Sequence, residues 1–109
     1  LYAGDMMITT TQITLRQYAQ GGMIGMRSSA VPIRRMIESA LHDGDEVAVN
    51  FEGVEVTQSF VDELIGAVIL RQGPGVLNRL VLKGCSPATR SIVKFVATDR
   101  ANQFASHCH

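Results

Sequence analysis

Apolar residues fall in short runs along this chain, and their spacing switches between a two-residue and a three-to-four-residue period. Residues 8–15, from Ile8 to Leu15, are rich in β-branched types and alternate toward their end, which predicts a first strand. A loop is expected through Gly21, Gly22 and Gly25 to Ser28 and Ser29. Pro32 fits a first helical turn, where its missing N–H costs nothing. Ile33, Met36, Ile37, Ala40 and Leu41 then mark one helical face, with Arg34, Arg35 and Glu38 mostly turned away. His42 closes this helix with a group that suits the negative dipole end, and Asp43-Gly44-Asp45 stops it.

Glu46 to Phe51 reads as a short strand buried on both faces of a sheet. Gly53 marks the turn after it, and a second helix is expected from Thr57 or Ser59. Phe60, Val61, Leu64, Ile65, Val68 and Ile69 would line its buried face, with Asp62 and Glu63 at its positive end. Gly73-Pro74-Gly75 ends that unit, and Leu80 to Lys83 is a third strand. Ser86-Pro87 supplies an N-cap and a proline at the first helical position. The helix after it places Ile92, Val93, Val96 and Ala97 on one face and is expected to end near Asp99.

This β-α-β-α-β-α alternation predicts an α/β fold with right-handed crossovers and a small, mostly parallel sheet carrying the helices. Periodicity leaves the direction of the first strand open. At 109 residues there is room for one domain, expected over 8–103. Residues 1–7 read as an extraneous or disordered start, and residues 104–109 as a frayed tail.

Composition narrows the function classes. The hydrophobic fraction is 46% and the charged fraction 18%, ordinary values for a globular domain. Ten basic residues balance ten acidic ones, so neither nucleic acid nor an anionic membrane is expected as the main partner. No apolar run approaches the roughly 20 residues that span a bilayer. Cys85 and Cys108 do not make a disulfide framework, and free thiols fit a cytoplasmic location.

Two segments invite a chemical reading. In Lys83-Gly84-Cys85-Ser86-Pro87-Ala88-Thr89-Arg90 a cysteine stands between a strand and a helix start, with an arginine downstream. Such a loop can lower a thiol pKa and hold an anion on backbone N–H groups. Pro87 removes one of those N–H groups, so a strand end with an incidental cysteine is preferred to a thiol enzyme. Gly84, Cys85, Ser86 and Arg90 remain as an alternative anion- or ligand-binding set. His107-Cys108-His109 carries metal-binding types, but three adjacent residues at a chain end cannot close a tetrahedral site. The expectation is therefore a protein without a catalytic set, metal or cofactor.

Residues 47–66, VAVNFEGVEVTQSFVDELIG, resemble the central strand-turn-helix of STAS domains, the fold of anti-sigma factor antagonists and sulfate-transporter tails. They are most similar to the STAS-like family of unknown function, in which Ser-Phe-x-Asp-Glu opens the helix. A looser likeness extends over about 12–100, including Pro32-Ile33-Arg34. The resemblance implies a regulatory protein-binding module in a bacterial signalling setting, with a histidine-kinase-like ATPase as the kind of partner. It places the contact surface on Glu52, Glu55, Gln58, Ser59, Phe60, Asp62 and Glu63, with Arg71 and, if exposed, Phe60 as candidate anchors. The phosphorylated serine of anti-sigma factor antagonists maps onto Ser59, while two acidic positions of their pattern become Asn50 and Gln58. Ser59 accordingly reads first as the N-cap of the second helix and second as a phosphosite. A neutral domain with free sheet edges also makes a homodimer an expectation.

Overall fold

The computed structural model describes residues 9–107, and the leading segment 1–7 lies outside them. Three strands form the main sheet: β1 (Thr10–Thr14), β3 (Glu46–Asn50) and β5 (Leu80–Lys83), in the order β1-β3-β5. All pairings are parallel, which settles the direction of β1; the registers align Thr11 with Val47 and Leu80, and Ile13 with Val49 and Leu82. Each crossover steps the same way across the sheet, so right-handed connections deliver their helices to one face. That face carries Ile13, Val47, Val49 and Leu80, all in the core. On the opposite face Gln12 and Val81 flank Ala48 and are exposed, although Ala48 itself is buried.

A second, two-stranded parallel sheet pairs β2 (Met23–Ile24) with β4 (Glu55–Val56). A 3₁₀ turn, Leu15–Tyr18, links β1 to it, so the expected glycine loop contains structure of its own. Two-residue strands are too short to leave a periodic signal, which is why the sequence does not announce them.

Helix α1 runs from Arg27 to His42 and buries Ala30, Ile33, Ile37, Ala40 and Leu41. Two expectations fail here. Pro32 sits inside the helix, beyond its first turn, and Met36 is exposed while Ala30 takes a place in the core. The next helix comprises α2 (Gln58–Val61), a π-helical turn (Asp62–Gly66) and α3 (Ala67–Gln72) without a break. All six of its expected core residues are fully buried. Gly73, at φ 89°, ends it, and a 3₁₀ segment, Pro74–Arg79, leads into β5. The Arg79 guanidinium donates to the carbonyls of Leu41 and Asp45 at 2.6 and 2.9 Å, tying that segment to the end of α1 and the start of β3.

Helix α4 extends over Pro87–His107, well past the expected stop at Asp99. Tertiary contacts hold the extra turns. Arg100 donates to Asp62 at 2.6 Å, and the Phe104 ring lies so near Gly73 that a Cβ there would come within 2.9 Å of it. The tail expected from residue 104 is thus helical through 107, and Cys108 and His109 lie outside the described residues. No helix among the described residues is long and apolar enough to cross a membrane.

Candidate functional site

The carboxyl ends of β3 and β5 set the geometry of the expected contact region. After β3 the chain turns at once: Asn50 Oδ1 accepts from the Glu52 N–H at 3.0 Å, and the Phe51 N–H donates to the Lys83 carbonyl at 2.8 Å. The second turn, after β5, comes very close to the first. A Cβ on Gly84 would lie 2.7 Å from Asn50 Oδ1 and 2.8 Å from the Glu52 nitrogen, and Gly84 has φ 72°. Both the conformation and the approach require glycine.

Thr57 opens the helix. Its Oγ1 accepts from the Phe60 N–H at 3.2 Å and donates to the Gly25 carbonyl at 2.7 Å. The cap is therefore Thr57 and not Ser59, because the cap hydroxyl must reach an N–H about three residues ahead. Ser59 lies one position inside the helix and is exposed, as are Glu52, Glu55 and Gln58. Three other members of the expected surface are not available. Phe60 is fully buried and belongs to the core, which excludes it as an anchor. A helix opening against a sheet turns one side inward, and Phe60 shares that side with Leu64.

Asp62 and Glu63 are held in a chain of ion pairs that crosses all three helices. Asp62 binds Arg100 of α4 at 2.6 Å and Arg27 of α1 at 2.9 Å. Glu63 binds Arg34 at 3.0 Å and lies 3.4 Å from Arg27. Arg34 continues to Glu38 at 2.8 Å, and Glu38 to Arg71 at 3.1 Å. The Arg34 side chain retains only 8% of its exposure, so this cation is buried between two carboxylates instead of lying on the outer face of α1. Arg71, the other expected anchor, is exposed but engaged with Glu38. Gly66 permits the crossing, since a Cβ there would meet Asp62 Oδ1 at 2.8 Å and Arg100 Cγ at 3.1 Å. The i, i+4 pairing of Arg34 with Glu38 is a signal visible in sequence; the pairings between helices are not.

The loop before α4 has the expected cap. Ser86 Oγ accepts from the Thr89 N–H at 3.1 Å, and the Arg90 N–H donates to the Ser86 carbonyl at 2.8 Å. Ser86 Oγ also donates to Glu55 Oε1 at 3.2 Å, so a carboxylate already borders the place where an anion would bind. Burial pushes the Cys85 thiol pKa up, and the Arg90 charge only partly opposes that. A protonated, partly buried thiol is the reverse of an activated nucleophile. Among the described residues no group of three or more His, Cys, Asp or Glu is placed to hold a metal ion, and the His107-Cys108-His109 set lies at and beyond their limit. Lys83 and Arg90 are exposed, as is Arg16, whose guanidinium carbon lies 3.6 Å from where a Gly53 Cβ would be.

No curated protein and no solved structure gives a significant match to the chain. A family model does, over residues 29–90, which takes in α1 from Ser29 onward, β3, β4, the second helix, β5 and the first turn of α4. That is more than half of the sequence, and the chain belongs to the family described as STAS-like domain of unknown function (DUF4325).

Proposed function

We propose that this STAS-like domain is a regulatory protein-binding module without catalytic activity of its own. The observation that carries the reading is the exposed run Glu52, Glu55, Gln58 and Ser59, on a turn that two neighbouring loops brace from beneath. A braced, exposed turn can dock without losing much conformational freedom, which favours recognition. Among the described residues the strand order runs β1-β3-β5 without the reversal at which doubly wound folds bind small ligands. A signalling ATPase of the histidine-kinase type is the partner that the family likeness suggests. Contact would bury about 600–800 Å² per side, at the small end of specific interfaces. Ser59, exposed near a helix start, is the residue at which a phosphate could regulate it.

The test is affinity capture from host cells with the wild-type chain, an E52K/E55K variant and a remote K94E control. A nucleotide-binding regulator should come down with wild type and control and be lost with the double variant. Equal recovery with all three baits would remove the turn as the contact surface. Mass spectrometry of the same captured chain reads the occupancy of Ser59.

A further inference from the structure

We infer that the chain carries a separate docking patch for a peptide segment with an apolar anchor and acidic flanks, centred on Tyr18, Met23 and Met26. Its centre, Tyr18, Met23 and Met26, precedes the matched family segment and sits on the 3₁₀ turn, on β2 and at the start of α1, while Ser29 and Met36 fall within that segment. Three of its side chains are large, apolar and solvent-facing, at 44%, 53% and 68% exposure for Tyr18, Met23 and Met26. The Tyr18 hydroxyl is 4.0 Å from Met36 Sδ, which joins a fourth exposed apolar side chain to the group. Half of the eight exposed large apolar side chains among the described residues are thus gathered in one place, which a surface scattered at random would not show.

Tyr18, Met23, Ile24 and Met26, with Gln20 and Ser29, line an open depression of about 210 Å³. That is below the roughly 300–1,000 Å³ of sites that enclose a small molecule, and suits one or two inserted side chains. Methionines adapt to differing anchors, because the thioether is unbranched and polarizable.

Charge selects the occupant. Residues 9–37 contain four arginines and no acidic residue. Arg27 and Arg34 are consumed by Asp62, Glu63 and Glu38, whereas Arg16 and Arg35 are exposed with no ion pair among the described residues. Arg16 stands over Gly53, which approaches Gly22 beside Met23, and Arg35 precedes Met36 in α1. The nearest carboxylate by register is Glu55 opposite Met23, and it is hydrogen bonded to Ser86. An apolar strip on a stretch that carries two exposed cations without an ion pair and no acidic residue is complementary to an apolar anchor flanked by acidic residues.

This inference rests on the protein-binding reading but on different residues, so the two fail separately. The test is selection of a random linear-peptide display library on the full chain, followed by anisotropy of the enriched peptides with wild type, M23S/M26S, R16E/R35E and E52K/E55K. Enriched peptides should carry Asp or Glu beside Leu, Ile, Met or Phe. Their affinity should fall at least about tenfold in M23S/M26S and in R16E/R35E, and should not fall in E52K/E55K, which removes the carboxylate opposite Met23. No enrichment, peptides indifferent to M23S/M26S, or peptides without acidic residues would overturn the proposal. So would two direct controls: sedimentation showing that wild type dimerises through this patch, or binding to phosphatidylglycerol vesicles that peptides do not match.

Discussion

Two stretches only a few residues apart, Glu52–Ser59 and Asp62–Glu63, look alike in sequence and differ in the fold. Both are polar and acidic, and both follow the same strand. In the first, Val54 and Val56 are buried while Glu52, Glu55, Gln58 and Ser59 are exposed, on a turn held by the Asn50 side chain and the close approach of Gly84. The second is enclosed by Arg27, Arg34 and Arg100 from two other helices. Within one helical turn the chain passes from a surface that can meet a partner to one already occupied by its own cations. An acidic residue is available for recognition only where the fold has supplied no cation for it.

The sharpest way to break this comparison is at Phe60, between the two stretches. F60A removes a fully buried ring and should cost about 3–5 kcal/mol, a large share of the roughly 5–15 kcal/mol that holds a small domain together. Urea or thermal unfolding reads it. A loss below about 1 kcal/mol would mean that Phe60 is a surface anchor after all.

Next in size is the ion chain. R34M leaves Glu63 and Glu38 facing each other without their shared cation and should destabilise by about 2–4 kcal/mol, less than a fully buried pair because both carboxylates stay partly exposed. The double variant D62K/E63K confronts three arginines and should lose as much or more. Any failure of that variant to bind a partner is therefore to be read beside its unfolding curve. By contrast E52K/E55K should change stability by no more than about 0.5 kcal/mol. Equal stability losses in the two double variants would erase the distinction between occupied and available acids.

A finer comparison concerns the helix start that joins the stretches. T57A removes the hydroxyl that accepts from the Phe60 N–H and donates to Gly25, and should cost about 1 kcal/mol. S59A touches neither bond and should be neutral within about 0.5 kcal/mol. If the two costs were reversed, Ser59 would be the cap, and its availability for phosphorylation would fall with it.

What the sequence discloses follows from how local each cause is. The six buried positions from Phe60 to Ile69 are legible, because helical periodicity on an apolar stripe is a property of neighbouring residues. So is the Ser86-Pro87 cap, whose bonds span three and four residues. Thr57 and Ser59 are equally good caps by residue type, and only the carbonyl of Gly25, supplied from another element, separates them. Met36 and Ala30 trade places for a similar reason: the periodic stripe is right, but its centre depends on where the neighbouring elements lie. The pairing of β2 with β4 and the last turns of α4 depend entirely on tertiary contacts, the latter on Asp62 and Gly73. Of the expected contact surface, the exposed half survives, and the half turned toward other helices does not.

The smallest expected effect concerns Cys85, the remaining chemical group on the rim. Burial raises its pKa, so the folded state favours the thiol over the thiolate. The sign of the stability effect follows. Cys85 contributes fully below the ordinary thiol range of about 8.5, and its contribution declines as pH rises through that value toward the folded pKa. In a C108S background, iodoacetamide labelling of Cys85 at neutral pH should be no faster than that of a free thiol, with a midpoint displaced upward. R90A should displace it further, because Arg90 is the charge that opposes the rise. Labelling faster than a free thiol at pH 7 would show an activated thiolate between two turns that the fold otherwise uses only as a brace, and would move the chemistry of this rim from recognition to reaction.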